Sequence, residues 1–315
     1  MENILVIIFL LAFFVQSAFI AVLLLRNRHT LTDKDINSEK KCNKIGCDER
    51  KDVDCHVTTD ESEYVNKISK GIDNNEFKMH LQFVVDSKTK KIVSAEALSR
   101  WESPEGIISP VNYIGIMEST GLISKHDFYI FECACRQLEK WNNTEYEDIT
   151  ISCNFTRITL SEESFIDTLE SISEKYNFNK SKLAIEITED AVEKDVATAI
   201  KNVTRCKEHG FKVYLDDLGS GYTPLSNLCD YPIDVVKIDR YILLKADTPI
   251  GKDLFAGIVD LAHNLNMSVI CEGVETAEQN TLVSEMNCDY IQGWYYSKPI
   301  PLKECEIYLN NHAAV

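Results

Sequence analysis

Short apolar runs alternate with longer stretches of helical periodicity through residues 63–315. The short runs are rich in β-branched residues and have the length of strands. The longer stretches have the spacing of amphipathic helices, for example Asp127–Trp141, Ser161–Tyr176, Asp195–His209 and Gly251–Leu265. Such alternation predicts a parallel sheet covered by helices. The predicted strands are His80–Asp86, Lys91–Leu98, Ile149–Asn154, Leu183–Thr188, Lys212–Asp216, Val235–Asp239, Ser268–Glu272 and Tyr290–Gly293.

Two topologies are compatible with this periodicity alone, a doubly wound open sheet and a closed barrel. Eight predicted strands over about 250 residues fit a TIM-like (β/α)8 barrel. The first two strands are joined by only four residues, Ser87–Lys90, whereas a parallel crossover needs about a dozen or more. We therefore expect an α/β fold in which the first strand pair is antiparallel.

The placement of polar residues favours the barrel. One of them occurs near the C-terminal end of almost every predicted strand, where the active sites of such barrels cluster. A single one would most simply be a solvated strand-end group. Together they would repel each other or stay unpaired unless something cationic joined them. These residues are Glu96, Asn154, Glu186, Asp216, Lys237, Glu272 and Gln292.

The N-terminal segment has the pattern of a membrane anchor. Ile4–Leu25 contains no formally charged residue, and a helix of that length covers about 33 Å, enough for a bilayer core. A cleaved signal peptide would need a basic start and a shorter apolar region, but Arg26 and Arg28 follow the run, which places the rest of the chain in the cytoplasm. We predict a transmembrane anchor at 1–28, a polar linker at 29–62 and the barrel at 63–315.

The charge balance limits the class of partner. The chain has 33 Lys and Arg against 50 Asp and Glu, giving a formal net charge of −17. Duplex nucleic acid is bound mainly through phosphate neutralisation by basic residues, so a duplex-binding function is excluded. A small phosphate ligand held through metal ions remains compatible, because bound cations reverse the local field.

The 11 cysteines are an odd number without a framework spacing, which is typical of a reducing compartment. Cys153 and Cys271 lie in apolar strand-like runs and are predicted to be small core residues. Near the N-terminus, a zinc cluster is an alternative for three cysteines and a histidine, but their spacing matches no strong zinc pattern. They are Cys42, Cys47, Cys55 and His56.

The strand-end side chains have the chemistry of a site for hard divalent cations. Carboxylate and amide oxygens suit Mg²⁺ or Mn²⁺ better than copper. The consecutive Asp216 and Asp217 end one strand, and neighbouring residues there point to different sides, so the pair can address two metals. Two such ions would clamp a phosphodiester. Lys237, placed among acids, would neutralise phosphate charge, orient or deprotonate a water, or only form a salt bridge.

Several motifs, in order along the chain, resemble those of the EAL family of cyclic di-GMP phosphodiesterases. The resemblance covers about residues 64–301, and several independent motifs make it highly specific. The motifs are Glu96-Ala97-Leu98-Ser99-Arg100-Trp101, Cys153-Asn154-Phe155-Thr156, Glu186-Ile187-Thr188-Glu189, Asp216-Asp217-Leu218-Gly219-Ser220-Gly221-Tyr222, Val236-Lys237-Ile238-Asp239, Glu272-Gly273-Val274-Glu275-Thr276 and Gln292-Gly293.

The resemblance implies a barrel that hydrolyses cyclic di-GMP to linear pGpG with two Mg²⁺ or Mn²⁺ ions. It implies that the lysine Lys237 contacts or activates the attacking water, that Glu189 steadies the loop after Asp217, and that Glu275 is a supporting carboxylate. A homodimer is also expected. The implied ligands of one metal are Glu96, Asn154, Glu186 and Asp216, those of the other are Asp216, Asp217 and Glu272, and the implied nucleotide contacts are Gln82, Arg100 and Gln292.

The chain departs from the family pattern near the site without losing a ligand. Phe83 stands where the family has Pro, Leu218 and Ser220 replace the usual Phe and Thr, and Pro224 follows closely. This altered loop supports a second hypothesis, a non-catalytic receptor that senses cyclic di-GMP and signals to a membrane partner. A third is a protein scaffold, which the intact set of acidic residues argues against, because buried like charges are costly without a metal.

Overall fold

The structure, a computed structural model, describes residues 59–188, 196–219, 228 and 231–312. The predicted anchor at 1–28, nearly all of the predicted linker and the cysteines at 42, 47 and 55 lie outside these ranges, so those predictions stay untested. No helix within the described ranges is long and apolar enough to span a bilayer. The first described helix begins at Thr59, inside the segment predicted as a linker.

Eight strands close into a ring, as the sequence predicted. The order around the ring is β1-β9-β8-β7-β6-β5-β4-β2, and β2 pairs with β1 to close it. Two short further strands extend the sheet, since β3 pairs with β2 and β10 with β1. The strands described are β1 Phe77–Asp86, β2 Ile92–Ser103, β3 Gly106–Ile108, β4 Thr150–Phe155, β5 Leu183–Thr188, β6 Lys212–Leu218, β7 Val235–Ile238, β8 Ser268–Cys271, β9 Tyr290–Gln292 and β10 Ile300–Pro301.

The first strand is antiparallel to both of its neighbours in the ring, β2 and β9, whereas the remaining ring pairs are parallel. The prediction of an antiparallel first pair is therefore confirmed. The turn between β1 and β2 is held by Asp86, whose Oδ1 accepts hydrogen bonds from the backbone N–H groups of Lys88 and Thr89 at 3.0 and 2.6 Å. Such a tight turn can connect only antiparallel strands.

Helices alternate with the parallel strands and pack on the outside of the ring. The described helices are α1 Thr59–Asp73, α2 Ile114–Thr120, α3 Ile123–Trp141, α4 Arg157–Leu160, α5 Phe165–Ser173, α6 Val196–Glu208, α7 Arg240–Lys245, α8 Pro249–Asn264, α9 Ala277–Glu285 and α10 Leu302–His312. The four predicted helices correspond to α3, α5, α6 and α8, with ends that differ by up to four residues. The larger core cluster lies between these helices and the strands and includes Cys153 and Cys271, both fully buried as predicted.

A separate small core of five buried residues fills the interior of the barrel. Its buried members all come from strands and lie on the inward face. Side chains two residues apart on a strand share a face, so each core residue fixes the direction of the polar side chain two positions nearer the barrel mouth. The core residues are Val84, Ala184, Tyr214, Val235 and Ile270. The polar partners are, in the same order, Gln82, Glu186, Asp216, Lys237 and Glu272.

Candidate active site

The ammonium of Lys237 lies at the centre of the barrel mouth, surrounded by carboxylates. Its Nζ is 2.6 Å from Glu186 Oε1 and 2.6 Å from Glu272 Oε1. Asp216 Oδ1 lies at 3.1 Å and Glu96 Oε2 at 3.2 Å. Burial by itself lowers the pKa of Lys237, but the carboxylates, Asp216 most strongly, outweigh it and raise that pKa well above its ordinary value. Lys237 is therefore a buried cation that its partners keep protonated.

The carboxylates around Lys237 carry more negative charge than one ammonium can balance. Burial, reinforced by the charge of Glu96, raises the pKa of Glu186 well above its ordinary value. Burial likewise raises the pKa of Glu272 to about 8. Glu96 differs, because attraction to Lys237 and hydrogen bonds from Gln292 and Asn154 outweigh its burial and lower its pKa. The site thus favours additional positive charge.

Three amide side chains hold the mouth in place. Asn154 Nδ2 donates to Glu96 Oε1 at 2.8 Å, and Gln292 Nε2 donates to Glu96 Oε2 at 2.6 Å. Gln292 also lies 3.4 Å from Gln82 Oε1, and Gln82 donates to the backbone oxygen of Ser297 at 3.0 Å. Both oxygens of Glu96 therefore have fixed partners, and its carboxylate has a defined orientation.

The carboxylate oxygens form two clusters that share one residue. Oxygens of Glu96, Glu186 and Asp216 lie within 4.8 Å of one another, and so do oxygens of Asp216, Asp217 and Glu272. Glu186 Oε2 is buried and has no hydrogen-bond partner among the described residues. A hard divalent cation would satisfy this oxygen and balance the surplus charge. The structure brings together all six predicted metal ligands, and the residues present fit two Mg²⁺ or Mn²⁺ ions; ligation itself stays a prediction.

Asp217 reaches the mouth because the backbone leaves the strand geometry there. Its φ is 60°, a left-handed conformation that is uncommon for a residue other than glycine. The pairing of β6 with β7 shifts register between Leu215 and Leu218, on either side of the two aspartates. Burial raises the pKa of Asp217 to about 6, with the charge of Asp216 adding to it. Strain of this kind is typical of functional sites.

A cleft of about 330 Å³ opens above the carboxylates. Glu275, predicted to be a supporting carboxylate, forms one wall and pairs with Arg240 through two contacts of 2.8 and 2.9 Å. Arg100, predicted to contact the nucleotide, does not line this cleft; its guanidinium donates to the backbone oxygen of Ser99 at 2.7 Å. The predicted loop residue Glu189 lies outside the described residues. The lining residues are Gln82, Glu96, Leu98, Asp216, Arg240, Glu272, Gly273, Glu275, Gln292, Gly293 and Trp294.

Sequence reasoning missed two residues of this cleft, Arg240 and Trp294. Arg240 follows the Lys237-Ile238-Asp239 segment directly, and Trp294 follows Gln292-Gly293. Both residues lie just beyond a strand that carries a site residue, and this position is the sequence signal that would have identified them. Among the departures from the family pattern, Phe83 stacks on Tyr308 with ring centroids 5.1 Å apart, and Leu218 is buried. Ser220 and Pro224 lie outside the described ranges.

The raised pKa values predict how the metal-free protein responds to pH. Below its ordinary pKa of 4.5, Glu272 is protonated in both the folded and unfolded chains; between 4.5 and about 8, only the folded chain retains the proton. Asp217 behaves in the same way between 3.8 and about 6. Stability contributed by these groups is therefore lost as pH rises through both windows. We expect the Tm in EDTA to fall between pH 5 and 8, by more than it falls in Mn²⁺.

Thermal unfolding at several pH values, with EDTA and with Mn²⁺ in parallel, measures this difference. An equal slope under the two conditions would contradict it.

Comparison with known proteins gives matches over most of the chain. A protein-family model described as the EAL domain matches residues 65–299. The signaling protein YkoW of Bacillus subtilis is 32% identical over 244 residues, which make up 77% of this chain and 30% of YkoW. The cyclic di-GMP phosphodiesterase NbdA of Pseudomonas aeruginosa is 28% identical over 255 residues, 80% of this chain and 32% of NbdA. The chain thus spans about a third of the length of these relatives.

A solved structure has the same architecture. The EAL enzyme Bd1971, in a form bound to cAMP and cyclic di-GMP, matches with a TM-score of 0.74 and 30% sequence identity. The match covers 79% of this chain and 69% of that chain.

Proposed function

The chain belongs to the EAL domain family, and we propose on this basis that it is a metal-dependent phosphodiesterase that hydrolyses cyclic di-GMP to linear pGpG. The observation that carries the proposal is the pair of carboxylate clusters that share Asp216 beside Lys237. The activity named for NbdA and the cyclic di-GMP bound to Bd1971 support the choice of substrate.

The residues of the barrel mouth would have two roles in hydrolysis, namely binding of the metal ions and the nucleotide, and stabilisation of charge. When bound, two divalent cations supply positive charge at the phosphodiester and make a water easier to deprotonate. Glu96, Glu186, Asp216, Asp217 and Glu272, with Asn154, would hold them. Lys237 lies among these carboxylates and would contact the attacking water or the phosphate oxygens. Gln82 and Gln292 would contact the nucleotide, and Arg100 would grip a phosphate once released from Ser99.

The alternative of a non-catalytic receptor needs the same ligand but not the same residues. Binding without cleavage does not require two carboxylate clusters. Such clusters destabilise the metal-free protein unless a cation joins them. Lys237 and all six predicted metal ligands are present, and they converge on the barrel mouth. These features favour catalysis.

Turnover measured with metal omitted and restored tests the proposal. The full chain, kept in mild detergent because of its apolar N-terminal run, is freed of metal with EDTA and mixed with cyclic di-GMP. We expect pGpG to appear only after Mg²⁺ or Mn²⁺ is added, with separation of nucleotides by chromatography as the measurement. Binding of cyclic di-GMP without any pGpG, with either metal, would support the receptor instead.

The barrel would act at the cytoplasmic face of a membrane. Support for this location comes from the uncharged run Ile4–Leu25 and the arginines that follow it. Fractionation after an alkaline carbonate wash tests it, because an anchored chain stays in the pellet and a peripheral one is released.

The protein would form a homodimer through the outer face of α7 and α8. Four large apolar side chains of this region are exposed, namely Tyr241, Leu244, Ile250 and Leu254. Light scattering of the purified protein measures the oligomeric state, and a strictly monomeric species at micromolar concentration would contradict the homodimer.

A further inference from the structure

Trp294 is the exposed aromatic residue of the cleft above the carboxylates. Its exposed fraction is 60%, whereas the other two tryptophans of the chain, Trp101 and Trp141, are 0% and 1% exposed. Among the described residues that line the cleft it is the sole aromatic one. A large apolar ring left in solvent beside a polar site is typical of a surface that a ligand covers.

The backbone that carries Trp294 is held rigidly. A Cβ atom on Gly293 would lie 2.0 Å from the backbone oxygen of Val274, so the chain passes too closely there for any side chain. On the other side, the Tyr295 N–H donates to the same Val274 oxygen at 3.0 Å. The backbone that carries the ring of Trp294 is therefore a fixed segment.

One face of the Trp294 indole already has a partner. Lys298 Nζ lies 5.1 Å from the ring centroid, within the range of a cation–π contact. This contact orients the ring, and the 60% exposure of Trp294 leaves ring surface for a ligand.

The cleft places this ring beside the groups that would bind phosphate. Trp294 shares the cleft with Glu96, Asp216 and Glu272, all predicted metal ligands, and directly follows Gln292 and Gly293. A nucleotide whose phosphodiester lay over the carboxylate clusters would extend its base along the wall of the cleft. The volume of about 330 Å³ accommodates a purine next to a phosphate.

We propose that Trp294 is a stacking platform for one guanine base of cyclic di-GMP. This inference rests on the proposed function for the identity of the ligand. Stacking of a base on an aromatic side chain is sequence-tolerant and adds affinity without entering the chemical step. Trp294 would thus determine how tightly the dinucleotide binds, while the carboxylates and Lys237 determine how fast it is cleaved.

Steady-state kinetics of the full chain with Mn²⁺ test the platform. Trp294→Ala should raise the KM for cyclic di-GMP between about 5-fold and 100-fold and leave kcat within about twofold. Trp294→Phe retains a stacking ring and should raise KM by less than about threefold. Tyr295→Ala is the matched control, because Tyr295 is also exposed but does not line the cleft.

Tryptophan fluorescence gives a second readout that does not require turnover. Because Trp101 and Trp141 are buried, stopped-flow mixing of wild-type protein with cyclic di-GMP should quench the signal of Trp294. Quenching should persist in Tyr295→Ala and be lost in Trp294→Phe, even though the latter still binds.

The two readouts separate this inference from the proposed function. If wild-type protein cleaves cyclic di-GMP but Trp294→Ala has an unchanged KM, the platform is wrong and the phosphodiesterase stands. If wild-type protein binds with quenching but never cleaves, the platform stands and the phosphodiesterase is wrong. Absence of both binding and cleavage would overturn both.

Discussion

Replacing Lys237 by Met should strongly reduce hydrolysis and also destabilise the metal-free protein. The variant loses the ammonium that contacts four carboxylates, which leaves them buried without their counter-charge. Breaking a buried ion pair in this way costs about 3–5 kcal/mol of unfolding free energy. Turnover of cyclic di-GMP should fall by about 10²–10⁴-fold, since a proton donor to the reacting groups is gone. Urea unfolding in EDTA and product chromatography measure the two effects.

Added metal separates the two roles of Lys237. Mn²⁺ should stabilise the Lys237→Met variant by more than it stabilises wild-type protein, because the carboxylates no longer have a competing cation. Activity should nevertheless stay low. Lys252→Met, the same change on an exposed position of α8, should alter neither property. If Lys237→Met in EDTA unfolded at the same urea concentration as wild-type protein, the inference that the buried carboxylates need this ammonium as a counter-charge would be wrong.

Replacing Asp216 by Asn should remove more activity than replacing any carboxylate that belongs to one cluster alone. Asp216 contributes oxygens to both clusters, so its neutralisation weakens the binding of both cations at once. A metal ion supplies several kcal/mol of transition-state stabilisation, and each 1.4 kcal/mol is tenfold in rate. We therefore expect kcat/KM to fall at least about a thousandfold. Metal titration followed by calorimetry should show that both binding events are weakened.

The controls for this variant distinguish a shared ligand from a general loss of negative charge. Glu186→Gln changes only the first cluster and should leave one strong metal-binding event. Asp253→Asn alters an exposed aspartate of α8 and should behave as wild-type protein does. Two intact metal-binding events in Asp216→Asn would show that the clusters do not share this residue.

The architecture and the assembly of the site could be predicted because each strand carries an apolar pattern that indicates the fold and a polar residue that belongs to the site. Alternation of side chains ties an inward apolar residue such as Ala184 to Glu186 two positions later, and Tyr214 to Asp216 in the same way. The parallel strands of the ring then bring these side chains to one rim at their C-terminal ends. The short connection after Asp86 was sufficient to predict an antiparallel pair, which the structure confirms.

The remaining features depend on contacts that no local pattern records. The sequence left Lys237 between a salt bridge and a catalytic role, because its four partners lie on or directly after other strands, up to 141 positions away. Strands β3 and β10 are too short, at three and two residues, to have a periodicity. The position of Arg100 was also beyond prediction, since its guanidinium donates to the backbone of its own neighbour. The left-handed backbone at Asp217 has no composition signal.

The closure of the ring through β1 has a consequence for how the chain is made. Val84 pairs with Gln292, so this first strand waits while more than 200 residues leave the ribosome, a delay on the order of tens of seconds. During that time the nascent sheet is an open ribbon with two unprotected edges, which invite pairing with other chains. A premature stop before Tyr290 would make that state permanent, and the truncated product would be a substrate for chaperones and proteases before it could ever act.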